Sequence, residues 1–178
     1  MPRFLRHLLV FLVFSSASAV FAQTAPPEGW RYPVDSDYSG FWQTYRKEIP
    51  VPFHFRADFT GVGAQDDAWI LIRTDRPQWW GLFVFLNTGN QPEIQEVAEG
   101  DTGPQFWSIQ PAPPGNYEVL DKNNRKANLV LRAPGINLFI QNGPNLFFYW
   151  DGSRFKEMRV LSMPAPSRKG LGFPRLTG

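Results

Sequence analysis

The sequence predicts an all-β domain of antiparallel hairpins, sheet-like or propeller-blade-like, with one short N-terminal helix. Three observations carry this. From Val51 onward apolar and polar residues alternate with a period of two, the period of a strand with one face buried. Short β-prone runs recur, separated by Pro-, Gly- and Asn-bearing turns such as Ala133-Pro134-Gly135 and Asp151-Gly152. A single stretch, Tyr38 to Glu48, has helical spacing, with Phe41, Trp42, Tyr45 and Ile49 on one stripe and Ser36-Asp37 placed to cap it.

The chain opens with the pattern of an export signal. Arg3 and Arg6 form a basic start, Leu8 to Phe14 a short apolar core, and Val20-Phe21-Ala22 a small-residue cleavage site. Ser15, Ser16 and Ser18 interrupt the apolar run, which a membrane-spanning helix of ~20 apolar residues would not tolerate. Cleavage after Ala22 makes Gln23 the mature N-terminus and the periplasm or the exterior the expected location. Gln23 to Asp35 then reads as an extended arm pinned by Trp30 and Tyr32. Residues 36–163 read as one β-rich domain, and residues 164–178 as a basic tail.

Composition removes several classes of function. The chain of 178 residues has no cysteine, so disulfides, zinc–thiolate sites and cysteine nucleophiles are excluded. Removing Arg3 and Arg6 from the 18 Lys and Arg leaves 16, against 16 Asp and Glu, so the mature chain is neutral. A neutral exported chain is not expected to bind nucleic acid.

The strands follow in order. Phe53, Phe55, Ala57 and Phe59 share one face, with His54, Arg56 and Asp58 on the other. Trp69 to Ile72 is a β-prone run, Asp75-Arg76-Pro77 a turn, and Trp79 to Leu86 a strand apolar enough to need cover on both faces. That places it centrally in a sheet. Ile94 to Val97 and Phe106 to Ile109 are short strands, with Gly100 to Pro104 a loop between them. Pro111, Pro113 and Pro114 are expected to break regular structure, leaving Asn116 to Leu120 as an edge strand. Asn128 to Arg132, Ile136 to Gln141, Leu146 to Trp150 and Arg154 to Leu161 complete the series.

Two stretches invite chemistry. DFTGVGAQD, from Asp58 to Asp66, has the frame of a calcium loop, in which Asp58, Thr60 and Asp66 would supply oxygens. It resembles the Asp-rich loop of FG-GAP/VCBS-type repeats, which form blades of β-propellers and hold calcium between two strands. Asp58, Gly61, Gly63 and Asp66 match that loop, and Val62 departs from it by offering no oxygen. The resemblance implies calcium as a cofactor; the departure implies weak binding or none. The same residues also suit a hairpin loop whose Asp side chains accept backbone N–H bonds. YWDGSRF, from Tyr149 to Phe155, reads as a type I′ hairpin with Asp151-Gly152 at its tip and aromatics packed across it. Together with the Asp58 loop and the run from Trp80 to Phe85, it is similar to uncharacterised exported proteins of proteobacteria, a resemblance that implies no activity.

Catalytic material is sparse. His54 is the one histidine of the mature chain, and no G-x-S-x-G or H-E-x-x-H pattern occurs. A hydrolase would have to bring together carboxylates from among Asp58, Asp66, Asp67, Glu93, Glu96 and Asp151. Aromatic pairs are the stronger signal. Trp79-Trp80 and Tyr149-Trp150 cannot both face inward on regular strands, so one of each pair is expected at a surface, as an anchor for a protein or carbohydrate partner. The leading expectation is a non-catalytic binding module with a protein partner. An immunity protein or inhibitor acting against a cell-wall-directed toxin is its specific form. A calcium-stabilised structural or adhesion module is the alternative, and a carboxylate hydrolase a further one. N-terminal sequencing of the exported protein should begin at Gln23; a full-length cytoplasmic product would contradict the expected compartment.

Overall fold

A computed structural model describes residues 24–37, 53–89, 91–120, 123–140 and 145–162. The helix expected over Tyr38 to Glu48, the export signal and the basic tail lie outside these residues. What is described is all-β: two antiparallel sheets and only short 3-10 turns, at Asp35–Asp37 and Pro104–Phe106.

The first sheet is built on β3 (Asp66–Arg73) and β4 (Trp80–Leu86). Two short strands share the outer edge of β3. β1 (Trp30–Arg31) pairs with Ile72 and Arg73 at one end, and β2 (His54–Ala57) pairs with Asp66 to Trp69 at the other. β5 (Glu93–Gly100) closes the far side of β4, with a bulge where the register shifts between Leu82 and Phe83. All seven residues of β4 are buried. Its even-numbered side chains enter the core between the sheets, while Phe83 and Phe85 join Trp30 and Leu71 in a separate apolar layer on the outer face. The arm is thus part of the fold, since Trp30 packs edge-on against Phe83 at 4.8 Å.

The second sheet contains β6 (Trp107–Ala112), β7 (Gly115–Leu120), β8 (Lys126–Leu131), β9 (Gly135–Ile140), β10 (Leu146–Trp150) and β11 (Phe155–Ser162). Their spatial order is β6-β9-β10-β11-β7-β8. Short links force this sheet to curl. Leu131 and Gly135 are four residue steps apart, at most about 14 Å of chain. β8 and β9 lie four strand spacings apart in that order, about 19 Å if the sheet were flat. The link from Ala112 to Gly115 makes the same demand on β6 and β7. Ala112, Tyr117, Val119, Leu131 and Phe147 fill the concavity that results.

Two expectations about these strands need correcting. Pro111 does not break β6; it pairs with Ile136 inside it. β6 is an edge strand, where a residue without an N–H is tolerated on the unpaired side. Conversely, Asn116 to Leu120 is no edge, because β7 lies between β11 and β8.

Glycines set the close approaches. Trp80 faces Gly100 across the β4–β5 ladder, and a Cβ on Gly100 would lie 2.7 Å from the indole. That indole is fixed from the other side by Trp107, with ring centroids 3.9 Å apart. Gly100→Ala should therefore destabilise the fold by about 1–3 kcal/mol through overpacking. Chemical denaturation checks this, and an unchanged midpoint would show that the indole can move aside.

Candidate functional site

Four connections come together at one place in the molecule: β2–β3, β4–β5, β8–β9 and β10–β11. The two stretches that stood out in the sequence, some 90 residues apart, are both there. Between them opens a cleft of about 840 Å³, walled by Thr60 and Val62 on one side and by Tyr149, Trp150 and Gly152 on another. Val130 to Pro134 and the β4–β5 loop complete the wall. A Cβ on Gly61 would come within 3.7 Å of that of Ala133, so the β2–β3 loop rests against the β8–β9 turn.

The loop from Asp58 to Asp66 is held together by its own carboxylates. Asp58 Oδ1 accepts the Gly61 and Val62 N–H groups at 2.7 and 3.0 Å, and Oδ2 accepts that of Gly63 at 2.7 Å. Gly61 and Gly63 adopt φ of 74° and 87°, a backbone region that glycine enters without strain. Asp66 is buried and bridges two loops, accepting the Phe59 N–H at 3.0 Å and the Asn87 N–H at 2.8 Å. Burial raises its pKa above the ordinary carboxylate value; the two N–H bonds oppose the rise and the nearby Asp58 charge adds to it. Thr60 Oγ1 donates to Asp58 Oδ1 at a long 3.4 Å. The carboxylates of the proposed calcium set thus face backbone donors. Among the described residues no three His, Cys, Asp or Glu side chains are grouped as a metal shell. Val62, read in the sequence as the loop's missing ligand, is 72% exposed and presents an aliphatic surface to the cleft.

The β10–β11 connection differs from the type I′ turn read in the sequence. Trp150 pairs with Phe155, so the loop has four residues, and only Gly152 among them has a positive φ, at 105°. Asp151 organises it. Its Oδ1 accepts the Ser153 and Arg154 N–H groups at 2.9 and 3.0 Å, and its Oδ2 meets Lys156 at 2.6 Å. The Lys156 contact, with those N–H bonds, holds this carboxylate well below the usual range. The expected cross-strand aromatic contact is present, with Trp150 and Phe155 edge to face at 5.5 Å.

The four aromatic binding candidates separate. Tyr149 and Trp150 are half-buried and line the cleft. Trp79 is at the opposite end of the first sheet, about 20 Å away along β4, under the Arg76 guanidinium at 4.6 Å. Trp80 is 1% exposed and belongs to the core, so it cannot serve as a surface anchor. Trp79 precedes β4, so strand alternation does not govern this pair, and Trp80 lies on a strand covered on both faces.

Of the carboxylates, Glu93 and Asp151 line the cleft, Asp66 is beneath it beside Asp58, and Asp67 is on the outer face of the first sheet. There His54 Nε2 meets Asp67 Oδ1 at 2.6 Å, Arg56 donates to Oδ2 at 3.1 Å, and the imidazole stacks on Trp69 at 3.9 Å. Burial would raise the Asp67 pKa, but its bonds to His54 and Arg56 outweigh this and lower it. His54 is thus held between Asp67 and Trp69.

Sequence reasoning missed Val130, which is 64% exposed at the cleft. The signal was available: with Leu129 and Leu131 directed inward, alternation sends Val130 outward beside Lys126 and Asn128.

Asp58→Ala removes the acceptor for three backbone donors and should cost about 2 kcal/mol. In the unmodified protein, saturating calcium should leave the melting temperature where it was. A rise of several degrees on adding calcium would show that the loop binds the ion.

No protein-family model, no curated protein and no solved structure matches the chain.

Proposed function

We propose that the protein is an exported, non-catalytic binding module that holds another protein at this cleft. The observation that carries the reading is the pair of outward valines, Val62 and Val130, on loops and strands far apart in the chain, brought together beside Tyr149 and Trp150. Exposed aliphatic and aromatic surface in a concave site, with Glu93 and Arg132 at its margin, is what a protein interface uses: an apolar centre and a charged rim. The side chains with catalytic potential support a binding role, since Asp58, Asp66 and Asp151 stabilise loops and His54 is paired with Asp67. In its specific form, consistent with export to the periplasm, the module is an inhibitor or immunity protein whose partner attacks the cell wall.

The test is capture from a periplasmic extract of the source organism, comparing the unmodified protein with a Val62→Glu, Val130→Glu double variant. Both positions are exposed, so the variant should keep its stability within about 1 kcal/mol. The expected outcome is one protein retained by the unmodified chain and lost with the variant. Equal retention by both would place the interface elsewhere, and retention on purified cell-wall sacculi alone would make the partner a carbohydrate.

A further inference from the structure

Sheet edges are where an extended chain can add, and most proteins blunt them with short strands, bulges, prolines, charges or covering segments. Three of the edges here are blunted. On the first sheet, β1 and β2 are two and four residues long. At its other edge, β5 has a bulge in its pairing with β4 and carries Glu93, Glu96 and Glu99. On the second sheet, β6 contains Pro111 and runs beside β2.

The fourth edge, β8, is different. Its six residues pair with β7 in an unbroken register from Lys126 to Leu131, with no proline and no bulge. Among the described residues nothing pairs with its outer side. Lys126, Ala127, Asn128 and Val130 are exposed, and the strand runs directly into the cleft at Val130 and Leu131.

Charge narrows the choice of occupant. Lys126 stands at one end of this edge and Arg132 just beyond the other, both exposed, with Glu118 near only the first, opposite Asn128 on β7. A second copy adding its own β8 in the antiparallel sense would bring the basic end of each strand against the basic end of the other, and like charges facing each other across a ladder are destabilising. The complementary occupant is a strand with an apolar centre and an acidic residue near each end. We propose that the protein takes such a segment of its partner by β-strand addition to β8, with the end of the segment that passes Val130 entering the cleft. Main-chain hydrogen bonds along β8 supply affinity in this mode, and the alternate side chains that meet Val130 and Lys126 supply choice. This mode of binding rests on the binding-module reading above and specifies it.

The test uses a displayed library of random twelve-residue peptides selected against the folded chain. Selected peptides should alternate apolar residues and carry Asp or Glu near both ends. A synthetic copy should slow amide exchange across residues 126–131 by about tenfold or more. N-methylation of alternate peptide residues, or Lys126→Glu with Arg132→Glu, should weaken it by about tenfold or more. Peptides that protect the cleft loops but leave β8 exchange unchanged would overturn strand addition and leave the binding module standing. Self-association that protects β8 and β5 together would overturn the choice of a different protein as partner. A library with no peptide protecting either region, together with capture unaffected by Val62→Glu and Val130→Glu, would overturn both.

Discussion

The structure depends on the need to bury β4 on both faces. A strand reading Trp-Gly-Leu-Phe-Val-Phe-Leu has no face to give to water, so the first sheet requires two covers. One is the second sheet, whose Trp107, Ile109, Ile136 and Leu138 meet the even side of β4. The other is the layer of Trp30, Tyr32, Trp69 and Leu71, which packs with Phe83 and Phe85 of β4. Gly81 and Gly100 mark where this packing is tightest, since a Cβ at either would strike an aromatic ring at under 3 Å. Each fully buried large side chain contributes about 1.5–3 kcal/mol, so the double cover outweighs any single loop interaction.

The second constraint is the curl of the second sheet. Two links of two and three residues draw β6 toward β7 and β8 toward β9, and the loops at that end crowd together as a result. The cleft is the space left where they meet the β2–β3 loop. Its rim is rigidified by carboxylates that satisfy backbone N–H groups: Asp58 in one loop, Asp66 between two, Asp151 in a third. A preformed rim lowers the ordering cost of binding, which is the advantage a binding module needs.

Much of the fold was legible in the sequence because it is local. Alternation located the strands, and Leu146 to Trp150 is found with the boundaries read from the sequence. Double-sided apolarity placed β4 inside its sheet. What was not legible required knowing neighbours. Pro111 is compatible with β6 only because β6 is an edge, and Asn116 to Leu120 is interior only because β11 pairs with it. The site was half legible. Asp58, Asp66, Asp151, Tyr149 and Trp150 stood out, and the Asp staples are bonds within or between nearby loops, but the cleft wall depends on a meeting across some 90 residues. Val62 looked like a defect in a metal loop; in the structure it is an exposed aliphatic side chain at the cleft. Trp80 and Trp79 looked alike in sequence; the register separates them, one against Gly100 in the core and the other in a turn.

The central claim is that the loop end of the molecule is where a protein partner sits. Photo-crosslinking in living cells tests it most directly, with a photoreactive phenylalanine analogue placed at Val62, at Val130 and, as a control on another part of the surface, at Val34, which is 53% exposed. The account predicts that one and the same protein is crosslinked from Val62 and Val130 and not from Val34. Crosslinks from Val34 alone, or from none of the three positions, would contradict it.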